Sequence, residues 1–286
     1  MEVLVSKGFL VVAQNTESTD YVRQAYALAL SIKSSQTSYT DISIMTNDEV
    51  SDEYASVFDK VVKIPWDDAA VDSLWKVENR WKIYYATPYD ETIVLDTDML
   101  VLEDITPWWD YCSSYSIKFC SSIKNYKLEK VVDTYHRKAF VDNKLSSPYF
   151  ALHYFKKDEV AYNFYKMLEF VSNNWEWCYT KCAPKSYQNW LSMDLAAAIA
   201  IELTGINQIA LDKVSPLEFI HMKPAIQGWD NYTDLWCNTV PVVLNTRGDL
   251  VVGNIKQSKI FHYVNDEFLT STILERLKEL ANGKTQ

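Results

Sequence analysis

Blocks of apolar and polar residues succeed one another along the first hundred positions in the rhythm of strand and helix. Gly8-Phe9-Leu10-Val11-Val12-Ala13 is a continuous apolar run that gives way to Gln14-Asn15-Thr16-Glu17-Ser18-Thr19, the pattern of a buried strand and the loop after it. From about residue 20 to 34 the apolar positions Val22, Ala25, Leu28, Ala29 and Ile32 recur at helical spacing and predict a helix with one apolar stripe. Residues 41–46 read as a second strand and residues 60–64, after a short acidic segment, as a third. Residues 75–86 predict a helix stopped by Pro88. Strands alternating with helices predict an α/β protein with a mainly parallel central sheet and helices on both faces.

The next strand ends differently. In Thr92-Ile93-Val94-Leu95-Asp96-Thr97-Asp98-Met99-Leu100-Val101 an apolar run is broken by two acids one residue apart, which places charge at the C-terminal end of a buried strand, where open α/β sheets hold ligands. Side chains alternate along an extended segment, so Asp96 and Asp98 are expected on one side, with Thr97 opposite and its backbone N–H available. Two converging carboxylates repel each other, and a divalent cation between them relieves that repulsion. An isolated Asp-x-Asp also serves simply to end a strand and open a turn.

Beyond Pro107 the regular alternation stops. Strands are expected at residues 116–121 and 149–155, with a polar stretch to Ser147 between them. Helices are expected at about 159–171 and 193–203, the second closing at Gly205. Residues 240–245 and 250–252 read as strands around the turn Thr246-Arg247-Gly248-Asp249. A short strand at 259–264 precedes a terminal helix around 272–280. This half reads as an α+β elaboration of the same domain, so residues 1–286 are taken as one domain. About 1–110 are expected to form its nucleotide-binding half and about 111–286 its substrate half.

Composition narrows the choice of chemistry. With 286 residues, ten Trp, nineteen Tyr and only six Gly, the chain is globular throughout, without low-complexity linkers. A net charge of −10 disfavours a protein whose main affinity comes from neutralising phosphates along nucleic acid. No stretch approaches the roughly 18 apolar residues of a membrane span, and the chain reads as cytoplasmic. The five cysteines lack paired Cys-x-x-Cys spacing. Cys178 and Cys182 share helical spacing, but no second pair or nearby His completes a metal site, so buried or idle thiols are expected. No Gly-x-Gly-x-x-Gly follows the first strand and no Gly-x-x-x-x-Gly-Lys-Ser/Thr occurs. A nucleotide diphosphate on this sheet would need metal and cations in place of a glycine loop.

Ile93-Val94-Leu95-Asp96-Thr97-Asp98-Met99-Leu100-Val101 resembles the Asp-x-Asp strand of GT-A-fold, nucleotide-sugar-dependent glycosyltransferases, most closely family 8, which includes glycogenin and bacterial galactosyltransferases. Val11-Val12-Ala13-Gln14-Asn15 with Tyr21-Val22-Arg23-Gln24-Ala25 resembles the family's uridine-binding start. Arg80, sixteen residues before Asp96, lies where the family places a cation that contacts the nucleotide sugar. Ile260-Phe261-His262-Tyr263 resembles the late strand whose His completes the metal site. The family's Asn-Ser-Gly segment is replaced near Tyr149-Phe150-Ala151-Leu152, and no Gly-x-x-Lys-Pro-Trp follows His262; instead Lys223-Pro224 follows His221.

The resemblance implies a Rossmann-like nucleotide-diphospho-sugar transferase that carries out a retaining transfer from a UDP-sugar. It implies a metal on Asp96, Asp98 and His262, and donor contacts at Ala13, Asn15, Tyr21, Arg80, Asp96, Thr97 and Asp98. Two carboxylates and one imidazole suit Mn²⁺, or Mg²⁺, with Arg80 or Lys82 sharing the charge of the departing diphosphate. Asp194 is the candidate for the sugar side of an oxocarbenium-like transition state, though it also sits where a helix cap would. His221 reads equally as a phosphate contact and as a loop histidine. The acceptor is open among glycan, protein, lipid and modified nucleic acid. A basic run including Lys124, Lys127, Lys130, Arg137, Lys138 and Lys144 raises an anionic acceptor against a solvated helix face. The rivals are a haloacid-dehalogenase-type phosphatase using Asp96 and Asp98, and a non-catalytic sugar-nucleotide or glycan-binding protein.

Overall fold

The computed structural model describes residues 5–73, 75–131, 137–211, 214–229 and 235–284. In chain order its first strands are β1 (Lys7–Val12), β2 (Ile42–Met45), β3 (Lys60–Val62), β4 (Glu91–Leu95), β5 (Met99–Val101), β6 (Ile117–Cys120) and β7 (Ser122–Lys124). They continue with β8 (Tyr149–Lys156), β9 (Glu218–His221), β10 (Val242–Leu244), β11 (Leu250–Val252), β12 (Ile255–Lys256) and β13 (Ile260–His262). The four longest helices are α1 (Tyr21–Ser35), α2 (Glu159–Asn173), α3 (Met193–Thr204) and α4 (Ser271–Lys284).

The main sheet runs β3-β2-β1-β4-β8-β6. Its first four strands are parallel, and β8 lies antiparallel between β4 and β6. Period-two alternation divides its side chains between two cores. Leu10, Val12 and Val94 face a layer containing Phe164, Leu168 and Ile199 of α2 and α3, whereas Phe9, Val11, Ile93 and Leu95 face Val22, Ala25 and Leu28 of α1. Each of the Val, Leu, Ile and Phe side chains among them contributes about 2 kcal/mol by leaving water. A second sheet, β5-β13-β9-β7, and a small antiparallel sheet, β10-β11-β12, complete the chain. α4 lies against α1, where Ile273, Leu274 and Leu277 meet Tyr26 and Leu30 in a third core. α1 is therefore buried on more than the single stripe its spacing predicts. Among the described residues no helix is long and apolar enough to cross a membrane, and all five thiols are free.

Two predicted elements differ. The helix expected over 75–86 is reduced to a 3-10 turn, Arg80–Lys82, and one α-turn, Ile83–Ala86. Asn79 is fully buried, and its side chain bonds Gln14, Asp68 and the Ala69 N–H in place of continuing a helix, while Lys76 has φ +52°. The run from Thr92 to Val101 is two strands in two sheets, not one. Asp96 N–H donates to Ala151 at the end of the main-sheet ladder (3.0 Å), and the Asp98 carbonyl accepts from Tyr263 N–H in the second sheet (3.0 Å). Asp96-Thr97-Asp98 is the turn that hands the chain from one sheet to the other. Two short helices, Lys138–Asn143 and Trp175–Cys182, and strand β9 lie where the apolar pattern was too short to announce them.

Candidate active site

The turn brings Asp96 and Asp98 together by bending the backbone, where strand alternation alone was expected to do so. β13 pairs antiparallel with β5, setting His262 opposite Met99, and one ligand atom from each of Asp96, Asp98 and His262 lies within 4.8 Å of the others. His262 Nε2 is 2.8 Å from Asp98 Oδ2, while its Nδ1 is buried and without a partner. Two carboxylates and one imidazole, which keeps an unpartnered buried nitrogen, form a donor set that suits a divalent cation such as Mn²⁺ or Mg²⁺.

Arg80 pairs with the Asp96 carboxylate from the 3-10 turn, and its Nε is buried and unpartnered. Burial pushes Asp96 up, but the Arg80 charge, the neighbouring His262 and the hydrogen bond from Arg80 outweigh it and hold the carboxyl below its usual range. Burial also works against a charge on His262, yet Asp98, by charge and hydrogen bond, and then Asp96 draw its pKa above the ordinary value. Tyr21 is raised by burial first and then by Asp98, with Asp96 adding to the effect and Arg80 opposing it, so its hydroxyl belongs to the same electrostatic neighbourhood.

The remaining expected donor contacts are distributed differently. Ala13 is buried at the end of β1. Asn15 accepts from Val22 N–H (3.0 Å) and donates its own N–H to Asp48 (2.7 Å), which fixes the loop leading into α1. The Thr97 hydroxyl donates to Gln24 Oε1 (2.8 Å) and is buried, so that side chain anchors the turn to α1. Lys82 is buried and donates to the Asp67 carbonyl. Arg80, and not Lys82, lines the cleft.

That cleft, about 560 Å³ in volume, is lined by Asp96, His262 and Asp194 together. Asp194 is not the cap of α3: the Ser192 hydroxyl accepts from Leu195 N–H. The Asp194 carboxylate instead accepts from Phe150 N–H (2.8 Å) and from Arg137 (2.6 Å). Arg137 lies between the Phe140 and Tyr149 rings, 4.2 and 3.9 Å from their centroids, and also donates to Ser147 and the Pro148 carbonyl. Sequence reasoning placed Arg137 only in a basic run, because nothing local announces a partner 57 residues away.

The second histidine belongs to this cleft as well. β9 and β13 are parallel with His221 in register with His262, and the two rings stack 4.5 Å apart, inclined by 9°. The Lys223-Pro224 pair that follows His221 is thereby delivered beside His262, and Lys223 lines the cleft. Burial among the cleft walls draws Lys223 below its ordinary range, Asp194 partly offsetting this. Elsewhere in the basic run, Lys124 pairs with Glu218, while Lys138 lines the cleft.

No protein-family profile and no curated protein matches the sequence. Solved structures do resemble the chain. The galactosyltransferase LgtC, in complex with donor and acceptor sugar analogues, aligns with a TM-score of 0.53 and 14% identity, covering 96% of this chain and 95% of that one. Mouse xyloside xylosyltransferase 1 aligns with a TM-score of 0.53 and 8% identity, covering 90% and 97%. GlyE of Streptococcus pneumoniae aligns with a TM-score of 0.50 and 12% identity, covering 98% of this chain and 63% of that one. The chain has the GT-A fold of these glycosyltransferases, a likeness over nearly its whole length that the phosphatase alternative does not explain.

Proposed function

We propose that this GT-A-fold chain is a metal-dependent glycosyltransferase that moves a sugar from a nucleoside-diphosphate donor, a UDP-sugar, to an acceptor hydroxyl. The observation that carries this reading is the convergence of Asp96, Asp98 and His262 at a cleft that also presents Arg80, Lys223 and Asp194. Asp96, Asp98 and His262 would hold Mn²⁺ or Mg²⁺, which when bound supplies Lewis-acid stabilisation to the leaving diphosphate. Arg80 and Lys223 add fixed positive charge on the same side, and Lys223, whose ammonium is partly desolvated, gains most from an arriving anion.

In the transfer the acceptor oxygen bonds to the anomeric carbon as the bond from that carbon to the phosphate oxygen breaks. The nucleoside diphosphate leaves with the electron pair and takes up the acceptor's proton. Asp194, oriented by Phe150 N–H and Arg137, faces the cleft as the carboxylate for the positive charge that develops on the sugar. Transfer with retention follows the family 8 resemblance, and the product's anomeric configuration by NMR tests it.

Calorimetric titration of UDP, GDP and CDP in Mn²⁺ and then in EDTA tests the donor side. Binding of UDP in Mn²⁺ is expected to weaken by at least about 100-fold, or about 2.7 kcal/mol, in EDTA and in Asp98→Ala. Undiminished affinity in that variant, or binding of no nucleotide, would overturn the proposed site.

A further inference from the structure

Part of the cleft's lining comes from the helix Lys138–Asn143 and the segment 183–192, tied together where Lys185 N–H donates to Asn143 Oδ1 (2.9 Å). Within that segment Tyr187 and Trp190 line the cleft while remaining 89% and 48% exposed. Large aromatic faces left in water inside a polar loop mark a contact surface, and their flat apolar bodies suit the C–H faces of a sugar ring. Between them Gln188 turns a carbonyl oxygen, Oε1, that is buried and has no hydrogen-bond partner. A buried acceptor without a donor is costly, and a sugar hydroxyl supplies one.

The same part of the lining carries charge. Lys138 and Lys185 line the cleft, are exposed, and have no ion-pair partner among the described residues. Arg80 and Arg137, by contrast, are paired with Asp96 and Asp194. In a chain of net charge −10, two uncommitted lysines facing one cleft concentrate positive potential there. Nothing on the donor side requires them, since Arg80 and Lys223 lie with the metal-ligand cluster.

We propose that the acceptor is an acidic sugar, a glycan whose residue nearest the transfer site bears a carboxylate or phosphate. Its ring stacks on Tyr187 and Trp190, a hydroxyl donates to Gln188 Oε1, and its anionic group lies between Lys138 and Lys185. This rests on the glycosyltransferase reading for the word acceptor. The sugar site itself is testable without the donor.

The experiment titrates the full chain, without nucleotide, with cellobiouronic acid against cellobiose and with glucose 6-phosphate against glucose, so that carboxylate and phosphate are scored separately. At about 50 mM NaCl at least one acidic sugar is expected to bind about tenfold more tightly than its neutral counterpart, and the ratio is expected to fall several-fold at about 500 mM. K138Q/K185Q is expected to bring the ratio to about one, whereas Tyr187→Ala weakens acidic and neutral sugars alike, by about fivefold or more. Equal affinity for charged and neutral sugars, no binding of either, or a preference that survives K138Q/K185Q would overturn the proposal. So would an oligothymidylate that binds more tightly than every acidic sugar, which would assign the lysines to nucleic acid. Mn²⁺-dependent UDP binding by the same preparation is measured separately. Its absence would strike the donor reading and leave the sugar titrations to speak for the acidic site alone.

Discussion

His153, on β8 beside the Asp96 strand, shows how much a single buried side chain can impose. It is fully buried, with Nδ1 2.8 Å from the Phe150 carbonyl and Nε2 2.7 Å from the Tyr165 hydroxyl. A carbonyl only accepts, so Nδ1 carries the proton and Nε2 accepts from Tyr165, which makes the ring neutral and fully satisfied. Burial pulls its pKa down to about 4, the Phe150 carbonyl partly opposing this. Between that value and the ordinary one near 6.5, the unfolded chain binds a proton that the native chain does not. Stability is therefore fully present above about pH 6.5 and is lost as the pH falls toward 4, by about 2–3 kcal/mol between pH 7 and pH 4.5. Urea unfolding of His153→Gln against the unaltered protein checks this. The variant is expected to be less stable at pH 7, with the gap closing by that amount at pH 4.5. A gap independent of pH would show that His153 does not titrate on unfolding.

Elements depend on closely fitted contacts of this kind, and β1 has one at Gly8. A Cβ there would stand 2.4 Å from Cζ of Tyr89, whose ring is buried and whose hydroxyl bonds Ser43 (2.8 Å). Gly8→Ala is expected to destabilise the protein by about 1–3 kcal/mol through overpacking. The cost should shrink in a Tyr89→Leu background, because the two changes share one contact; equal costs in both backgrounds would refute the explanation. Strands such as β1 and β4 were legible because continuous apolar runs mark buried parallel strands, and α1, α2 and α3 because their periodicity is long. The 3-10 turn at Arg80 was not legible, since it depends on Asn79 bonding to Gln14 and Asp68 across the loop. β9 offered only four residues, too few for a period to declare itself.

At the scale of the whole molecule, the candidate site is made by the junction of two sheets. The Asp-x-Asp and late-His spacing was readable as a motif, and so was Arg80. Arg137 was legible only as part of a basic run, His221 only as an even choice between a phosphate contact and a loop histidine, and Lys223 only as the residue before Pro224, because strand order and register alone bring residues so distant in sequence into one cleft. The main sheet ends at Asp96, the second sheet begins at Asp98, and His262 arrives from a strand more than 160 positions later. On the proposed function, a cation held by all three would link the two sheets, and a nucleoside diphosphate bound with it would add to the same link. Ligands that bind only the folded chain stabilise it by about 2.7 kcal/mol at 100 times the dissociation constant, which for a chain of this size raises the melting temperature by about 4 °C or more. Mn²⁺ and UDP together are expected to give that rise and each alone much less, since in the proposed site each would complete the binding of the other. Asp98→Ala should abolish the joint effect while leaving the melting temperature without ligand within a few degrees, because the Asp98 carbonyl, which carries the β5–β13 junction, is retained. Shifts that are merely additive, or a joint shift that persists in Asp98→Ala, would mean that metal and nucleotide bind apart and that the junction of the sheets is not where they meet.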